Sequence, residues 1–142
     1  MANPRHPARG DQALSPAIWI ARAERSPRSA DVTLADGDPN AACGHAYYAM
    51  YYAARAALLA AGESEAAAAK THSGLIAAFN KYLVRTGDIA AEHGRNLGAE
   101  ASRRVAAAYG GDEIEPDLAR IAIRHASDFV AAIREWTDER DR

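Results

Sequence analysis

This sequence predicts an all-α protein, an up-and-down bundle of four to five helices. Three observations carry that expectation. Alanine dominates the apolar residues and β-branched residues are few, which favours helix over sheet. Apolar residues recur at three- and four-residue spacing, and no run of alternating Val, Ile or Thr marks a strand. Ser-Pro, Asp-Pro and Glu-Pro pairs and isolated glycines fall between these stretches, where helices start and stop. With 142 residues the chain is one domain with room for a modest core.

Residues 1–14 hold Pro4, Pro7, Gly10, Arg5 and Arg9 with little that is apolar, and read as a disordered tail. The helical domain then spans residues 15–137. Ser15-Pro16 opens the first helix, with Ser15 as cap and Pro16 at the first helical position. Its apolar positions are Ile18, Trp19, Ala23, Ala30, Val32 and Leu34. Pro27 interrupts it, so the helix either kinks near Ala23 or divides in two. Asp38-Pro39 caps a second helix, which ends at Gly62. Residues 63–70 read as a loop or frayed turn. Thr71-His72-Ser73 starts the third helix, with Leu75, Ile76, Phe79, Tyr82 and Leu83 at helical spacing, and Gly87-Asp88 breaks it. The fourth helix starts near Ile89, turns Leu97, Ala101, Val105 and Ala108 inward, and ends near Tyr109. Gly110-Gly111 is a mobile break. Glu115-Pro116 opens the fifth helix, with Leu118, Ala122, His125, Phe129, Ile133 and Trp136 on one face. Residues 138–142 form a charged tail.

Composition narrows the function. The net charge is −2, so any nucleic-acid role rests on a local patch and not on an overall basic field. The single cysteine, Cys43, rules out an internal disulfide framework and suits a reducing cytoplasm; it reads as a buried structural thiol. Every alanine run is interrupted by charge, so no apolar span approaches the ~18 residues of a membrane helix and no signal-peptide core is present. No His-x-x-x-His or Glu-x-x-His pair offers a metal site, and no glycine spacing marks a phosphate loop or a cofactor.

The stretch richest in chemistry is His45-Ala46-Tyr47-Tyr48-Ala49-Met50-Tyr51-Tyr52-Ala53-Ala54-Arg55. Residues i and i+4 share a helix face, so Tyr47 with Tyr51 and Tyr48 with Tyr52 form an aromatic strip that Arg55 continues. Such a strip is bundle core or the wall of a site, with hydroxyls that need partners. Together with Asp36-Gly37-Asp38-Pro39 before it, this helix resembles the "AYYAMF.AAR" helix of small prokaryotic HEPN proteins, nucleotide-binding helical domains encoded beside minimal nucleotidyltransferases. Lys70-Thr71-His72-Ser73-Gly74-Leu75-Ile76 is similar to that branch's "KTHSG" helix start. Arg104-Val105-Ala106-Ala107-Ala108-Tyr109-Gly110 stands where the branch has Arg-x-x-Ala-Asp-Tyr.

The resemblance implies a helical homodimer with a site in the dimer cleft near the end of the fourth helix. In nuclease members that site is an Arg-x(4–6)-His motif that cleaves RNA without metal, often as a toxin silenced by the partner nucleotidyltransferase. This chain departs from the motif. Five residues after Arg104 stands Tyr109, and Ala108 replaces the acidic residue before it. A phenol with a pKa of about 10 is a poor general base at neutral pH. Arg104 and Tyr109 therefore carry over as binding groups. Arg120 and His125 match the motif in letters, but five residues set them about 140° apart on one helix. Arg120 goes with Arg124 and Asp128 on the wet face, and His125 with the core stripe.

His72 is the remaining titratable candidate, either a helix-start residue between the capping Thr71 and Ser73 or a cleft histidine near Arg104 and Tyr47. His45 and His93 read as surface residues. Arg95, Arg103 and Arg104 give one helix a basic ridge. The expected ligand-binding set is Arg104, Tyr109, His72, Tyr47 and Tyr48, with Arg104, Tyr109 and His72 as the weaker candidates for catalysis. The first function expected is a non-catalytic dimeric partner that binds a nucleotide, RNA or a minimal nucleotidyltransferase in a toxin–antitoxin-like pair. A metal-independent RNase toxin using Arg104 with Tyr109 or His72 is the alternative, and a purely structural interaction domain the third. Arg104 shares the Leu97/Ala101/Ala108 side of its helix, and a charge there needs a carboxylate, such as Glu100 or Glu115, or an anionic ligand.

Overall fold

The computed structural model describes residues 15–141, so the expected tail over residues 1–14 lies outside the described residues. Six α-helices follow in order: α1 Pro16–Ala35, α2 Pro39–Ala60, the single turn α3 Ser64–Ala67, α4 His72–Phe79, α5 Ala91–Tyr109 and α6 Pro116–Arg140. A π-helical segment, Asn80–Val84, extends α4. Among the described residues there is no strand, and the all-α bundle stands as expected.

α2 is the central element and touches every other one. Its sequence explains why. Ala42, Ala46, Ala49, Ala53, Ala54, Ala56 and Ala57 are all fully buried, so small side chains let neighbours approach from several sides. Tyr47, Met50 and Leu58 supply the bulk between them. Asp38 caps α2 by accepting from the Ala41 amide at 3.1 Å. The turn before it needs Gly37, which sits at φ 86° while its N–H bonds to the Leu34 carbonyl at 3.0 Å. On the far side of the core, the Phe79 and Phe129 rings meet at 5.2 Å and join α4 to α6.

Several expectations need correction. α1 runs unbroken through Pro27 and does not divide in two. Trp19, Ile20, Ala23 and Ala30 on both sides of the proline are buried, and this packing holds the helix through the lost hydrogen bond. Val32 is 67% exposed, outside the core. Of the two readings of residues 63–70, the turn stands, as the single helical turn α3. The inner face of α5 is Gly94, Leu97 and Glu100, whereas Val105 is 49% exposed and Ala108 is exposed, because the end of α5 runs past the body of the bundle. Leu118 is exposed for the same reason at the start of α6. The charged residues 138–140 continue α6 and are not a tail. His93 is half-buried, edge-on to Phe129, with its Nδ1 lacking a partner.

The Gly110–Gly111 break is tethered. Asn40, in the first turn of α2, donates through Nδ2 to the Ala107 carbonyl at 2.8 Å and the Asp112 carbonyl at 3.2 Å. Its Oδ1 accepts from the Ile114 amide at 2.8 Å. One side chain thus ties the last turn of α5 and the following loop to the central helix. That last turn is the segment beyond Arg104.

Candidate functional site

The tyrosine strip forms as the four-residue spacing dictates. Tyr47 and Tyr51 rings lie 6.1 Å apart, and Tyr48 and Tyr52 5.9 Å apart. Tyr47 is fully buried, while Tyr48, Tyr51 and Tyr52 keep an exposed edge. Thr71 caps α4 by accepting from the Gly74 amide at 3.0 Å, and this fixes the first residue, His72, over the strip. The imidazole lies 4.6 Å from the Tyr51 ring centre, 5.5 Å from Tyr47 and 6.0 Å from Tyr48. Its Nδ1 and the Tyr47 hydroxyl are 2.6 Å apart.

Arg104 enters from α5. It donates to the Tyr48 hydroxyl at 3.2 Å, and its guanidinium carbon lies 5.7 Å and 5.4 Å from the Tyr47 and Tyr48 ring centres. Among the described residues Arg104 makes no ion pair. The neighbouring carboxylate is already taken. Glu100, 1% exposed, accepts from Arg103 Nε at 2.9 Å and faces His125 Nδ1 at 2.8 Å. His125 is thus a polar partner of Glu100 at the edge of the core.

The electrostatics favour the neutral forms of Tyr47 and His72. Burial pushes the Tyr47 hydroxyl well above the ordinary phenol range, with Arg104 opposing only in part. Burial, then the charges of Arg104 and Arg55, hold His72 below its ordinary pKa. Tyr47 therefore keeps its proton and His72 favours the neutral imidazole, with one hydrogen bond shared between the hydroxyl and Nδ1. Burial also raises the Cys43 thiol, reinforced by Glu100, so Cys43 is the inert buried thiol expected.

Tyr47, His72, Ser73, Ile76, Ser102 and Arg104 are among the residues that line a cleft of ≈ 240 Å³. The cleft is lined by an arginine, a histidine and hydroxyls, and no carboxylate lines it. A larger groove of ≈ 600 Å³ lies between the start of α1 and the end of α6, but there Glu24 and Asp138 neutralise Arg134. Among the described residues no three His, Cys, Asp or Glu side chains converge as a metal-ligand set.

The structure brings together four of the five residues singled out from sequence: Arg104, His72, Tyr47 and Tyr48. Tyr109 is not among them. It is 79% exposed at the end of α5, turned about 140° from Arg104 by the same five-residue offset that separates Arg120 from His125. Sequence reasoning missed Asn40, and it offered Glu100 as a partner for Arg104 where the structure gives it to Arg103. Asn40 could have been suspected only as a polar residue inside the first turn after a cap. The adjacent pair Arg103-Arg104 hides which arginine takes the internal carboxylate.

An all-helical bundle with this cleft between its second, fourth and fifth long segments is a small helical domain of the HEPN kind. The chain belongs to the HEPN domain family, which matches it over residues 17–136. It is 32% identical over 125 residues to a UPF0332 protein of Thermotoga maritima, covering 87% of this chain and 92% of that protein. It is 36% identical over 117 residues to a UPF0332 protein of Gloeobacter violaceus, covering 81% and 90%. Among the described residues no helix is long and apolar enough to cross a membrane.

Proposed function

We propose that this HEPN protein is a non-catalytic binding partner: a homodimer whose Arg104 cleft holds a phosphate of a nucleotide or RNA. The observation that supports this reading is a half-buried guanidinium that donates to a tyrosine hydroxyl while no carboxylate neutralises it. Desolvated charge is costly without a counter-charge, and a planar fork beside hydroxyls suits a phosphate oxygen. Catalysis is the weaker reading. RNA cleavage without metal needs a proton acceptor at neutral pH. Nδ1 of His72 is engaged by the Tyr47 hydroxyl, and the residue five after Arg104 is Tyr109 where the nuclease motif has histidine. The partnership with a minimal nucleotidyltransferase, in a toxin–antitoxin-like pair in the cytoplasm, rests on the family resemblance of the tyrosine and Thr-His-Ser-Gly helices.

The test is equilibrium binding of adenosine monophosphate to the purified protein, with circular dichroism to follow the fold. Arg104→Ala should weaken binding at least about tenfold, the loss expected for a charge-assisted pair, and leave helicity and melting temperature nearly unchanged. Binding that survives in the folded variant would leave only a structural interaction domain. Cleavage of a single-stranded RNA by the wild type, abolished by Arg104→Ala and by His72→Gln, would instead establish the RNase reading.

A further inference from the structure

Beyond the cleft, the tyrosine strip runs into a second cationic group that the binding reading does not use. Arg55 donates to the Tyr51 hydroxyl at 2.7 Å, and its guanidinium carbon lies 5.0 Å from the ring centres of both Tyr51 and Trp19. Arg22 lies over the same indole at 4.9 Å. The Trp19 ring in turn stacks on Tyr52, with centres 5.6 Å apart and planes at 29°. Among the described residues neither Arg22 nor Arg55 makes an ion pair. Two buried donors here, Arg55 Nε and Trp19 Nε1, have no acceptor, and Trp19 is only 9% exposed. Both atoms are sealed from solvent and form the packed base of the group, whose accessible side is the exposed Arg22 and the partly exposed Arg55, Tyr51 and Tyr52.

This second group is continuous with the cleft. Tyr51 contacts His72 at 4.6 Å on one side and Arg55 at 5.0 Å on the other. Tyr52 joins Tyr48 at 5.9 Å to Trp19 at 5.6 Å. Arg104 and Arg55 both bear on His72, where each opposes its protonation. Tyr48, which accepts from Arg104, stands seven residues before Arg55 on α2, about 10.5 Å along the axis. That span exceeds the reach of a single monophosphate. Cations interleaved with partly exposed aromatic edges are what a single strand needs, phosphates going to arginine and bases stacking on rings.

We infer that Arg55, with Arg22 and the Trp19 indole, forms a second phosphate subsite, so that the ligand is a single-stranded oligonucleotide lying along the tyrosine strip. This rests on the binding reading of the Arg104 cleft and adds to it the class of ligand. The probes are adenosine monophosphate and a 5′-phosphorylated 2′-O-methyl triadenylate, which no 2′-hydroxyl attack can cleave. The wild type should bind the trinucleotide at least about tenfold more tightly than the monophosphate. Arg55→Gln should remove most of that gain, read as the ratio of trinucleotide to monophosphate affinity within the same variant. Arg22→Gln, at an exposed side chain, should remove about threefold of it and covers the case in which Arg55→Gln unfolds. A trinucleotide bound no more tightly than the monophosphate, or a gain that survives both substitutions, overturns the second subsite and leaves the cleft standing. Absence of binding to either probe at millimolar concentration sinks the cleft and the subsite together.

Discussion

At the scale of single residues, the site is defined by how two adjacent arginines divide their partners. Arg103 takes the buried Glu100, which His125 also faces; Arg104, one residue on and about 100° around the helix, is left to the tyrosines. Removing Glu100 would strand a half-buried cation, whereas removing Arg104 strands nothing charged. His72 is the other residue whose state decides the chemistry. The groups facing it are Arg104, Arg55, the Tyr47 hydroxyl and the rings of Tyr48 and Tyr51. Its pKa is lower in the folded protein than in the unfolded chain, so below the unfolded value, about 6.5, the unfolded state binds more protons. The stability contributed by keeping His72 neutral is therefore present above that pH and is lost as pH falls through the folded pKa. Urea unfolding of the wild type and His72→Gln between pH 7.5 and 5.5 should show the wild type losing more stability on acidification. A difference between the two proteins that does not change with pH would contradict this. Anion binding should also tighten as the pH falls, since a bound phosphate favours the imidazolium.

At the scale of elements, the close approach of α5 to the π-helical segment positions the arginine-bearing helix. A Cβ on Gly94 would lie 2.4 Å from Asn80 Oδ1 and 3.1 Å from a Val84 methyl. Asn80 is not free to yield, because its amide donates to the Ile76 carbonyl at 3.1 Å. One turn further along, a Cβ on Gly98 would meet nothing within 4 Å. Two identical substitutions in one helix should therefore act in opposite directions. Gly98→Ala should stabilise by about 0.5–1 kcal/mol through helix propensity alone, and Gly94→Ala should destabilise by about 1–3 kcal/mol through overpacking. Denaturant unfolding of the pair decides it, and equal effects would mean that the approach is looser than it looks. This contrast marks how far the sequence could be read. The strip, the Thr71 start of α4 and the bounds of α2 follow from spacing and caps that act within a few residues. The register of α5 did not, since its last two turns project past the bundle and leave Val105 and Ala108 exposed in a pattern that still looks amphipathic. The π segment has no local signature, and the continuity of α1 across Pro27 is imposed by packing on α2, a long-range term that outweighs a local one.

At the scale of the whole molecule, the surface left over by this packing points to a second copy of the chain. The central helix is built from alanine, which allows close contact but buries little area per residue, and a chain of this length has a limited core to draw on. The projecting end of α5 adds an exposed apolar face, with Val105 49% and Tyr109 79% exposed, and Val105 also lines the Arg104 cleft. An isologous contact across this face would bury both residues twice and bring the two clefts to one interface. It would give Tyr109, which is remote from Arg104 within one chain, a role between chains. We therefore expect light scattering at micromolar concentration to report a dimer. The double substitution Val105→Lys with Tyr109→Lys should raise its dissociation constant at least about tenfold, because two desolvated lysines would face their symmetry mates, while the helical content stays as in the wild type. A wild-type monomer at that concentration, or a dimer indifferent to both lysines, would remove this face from the assembly and confine the binding site to a single chain.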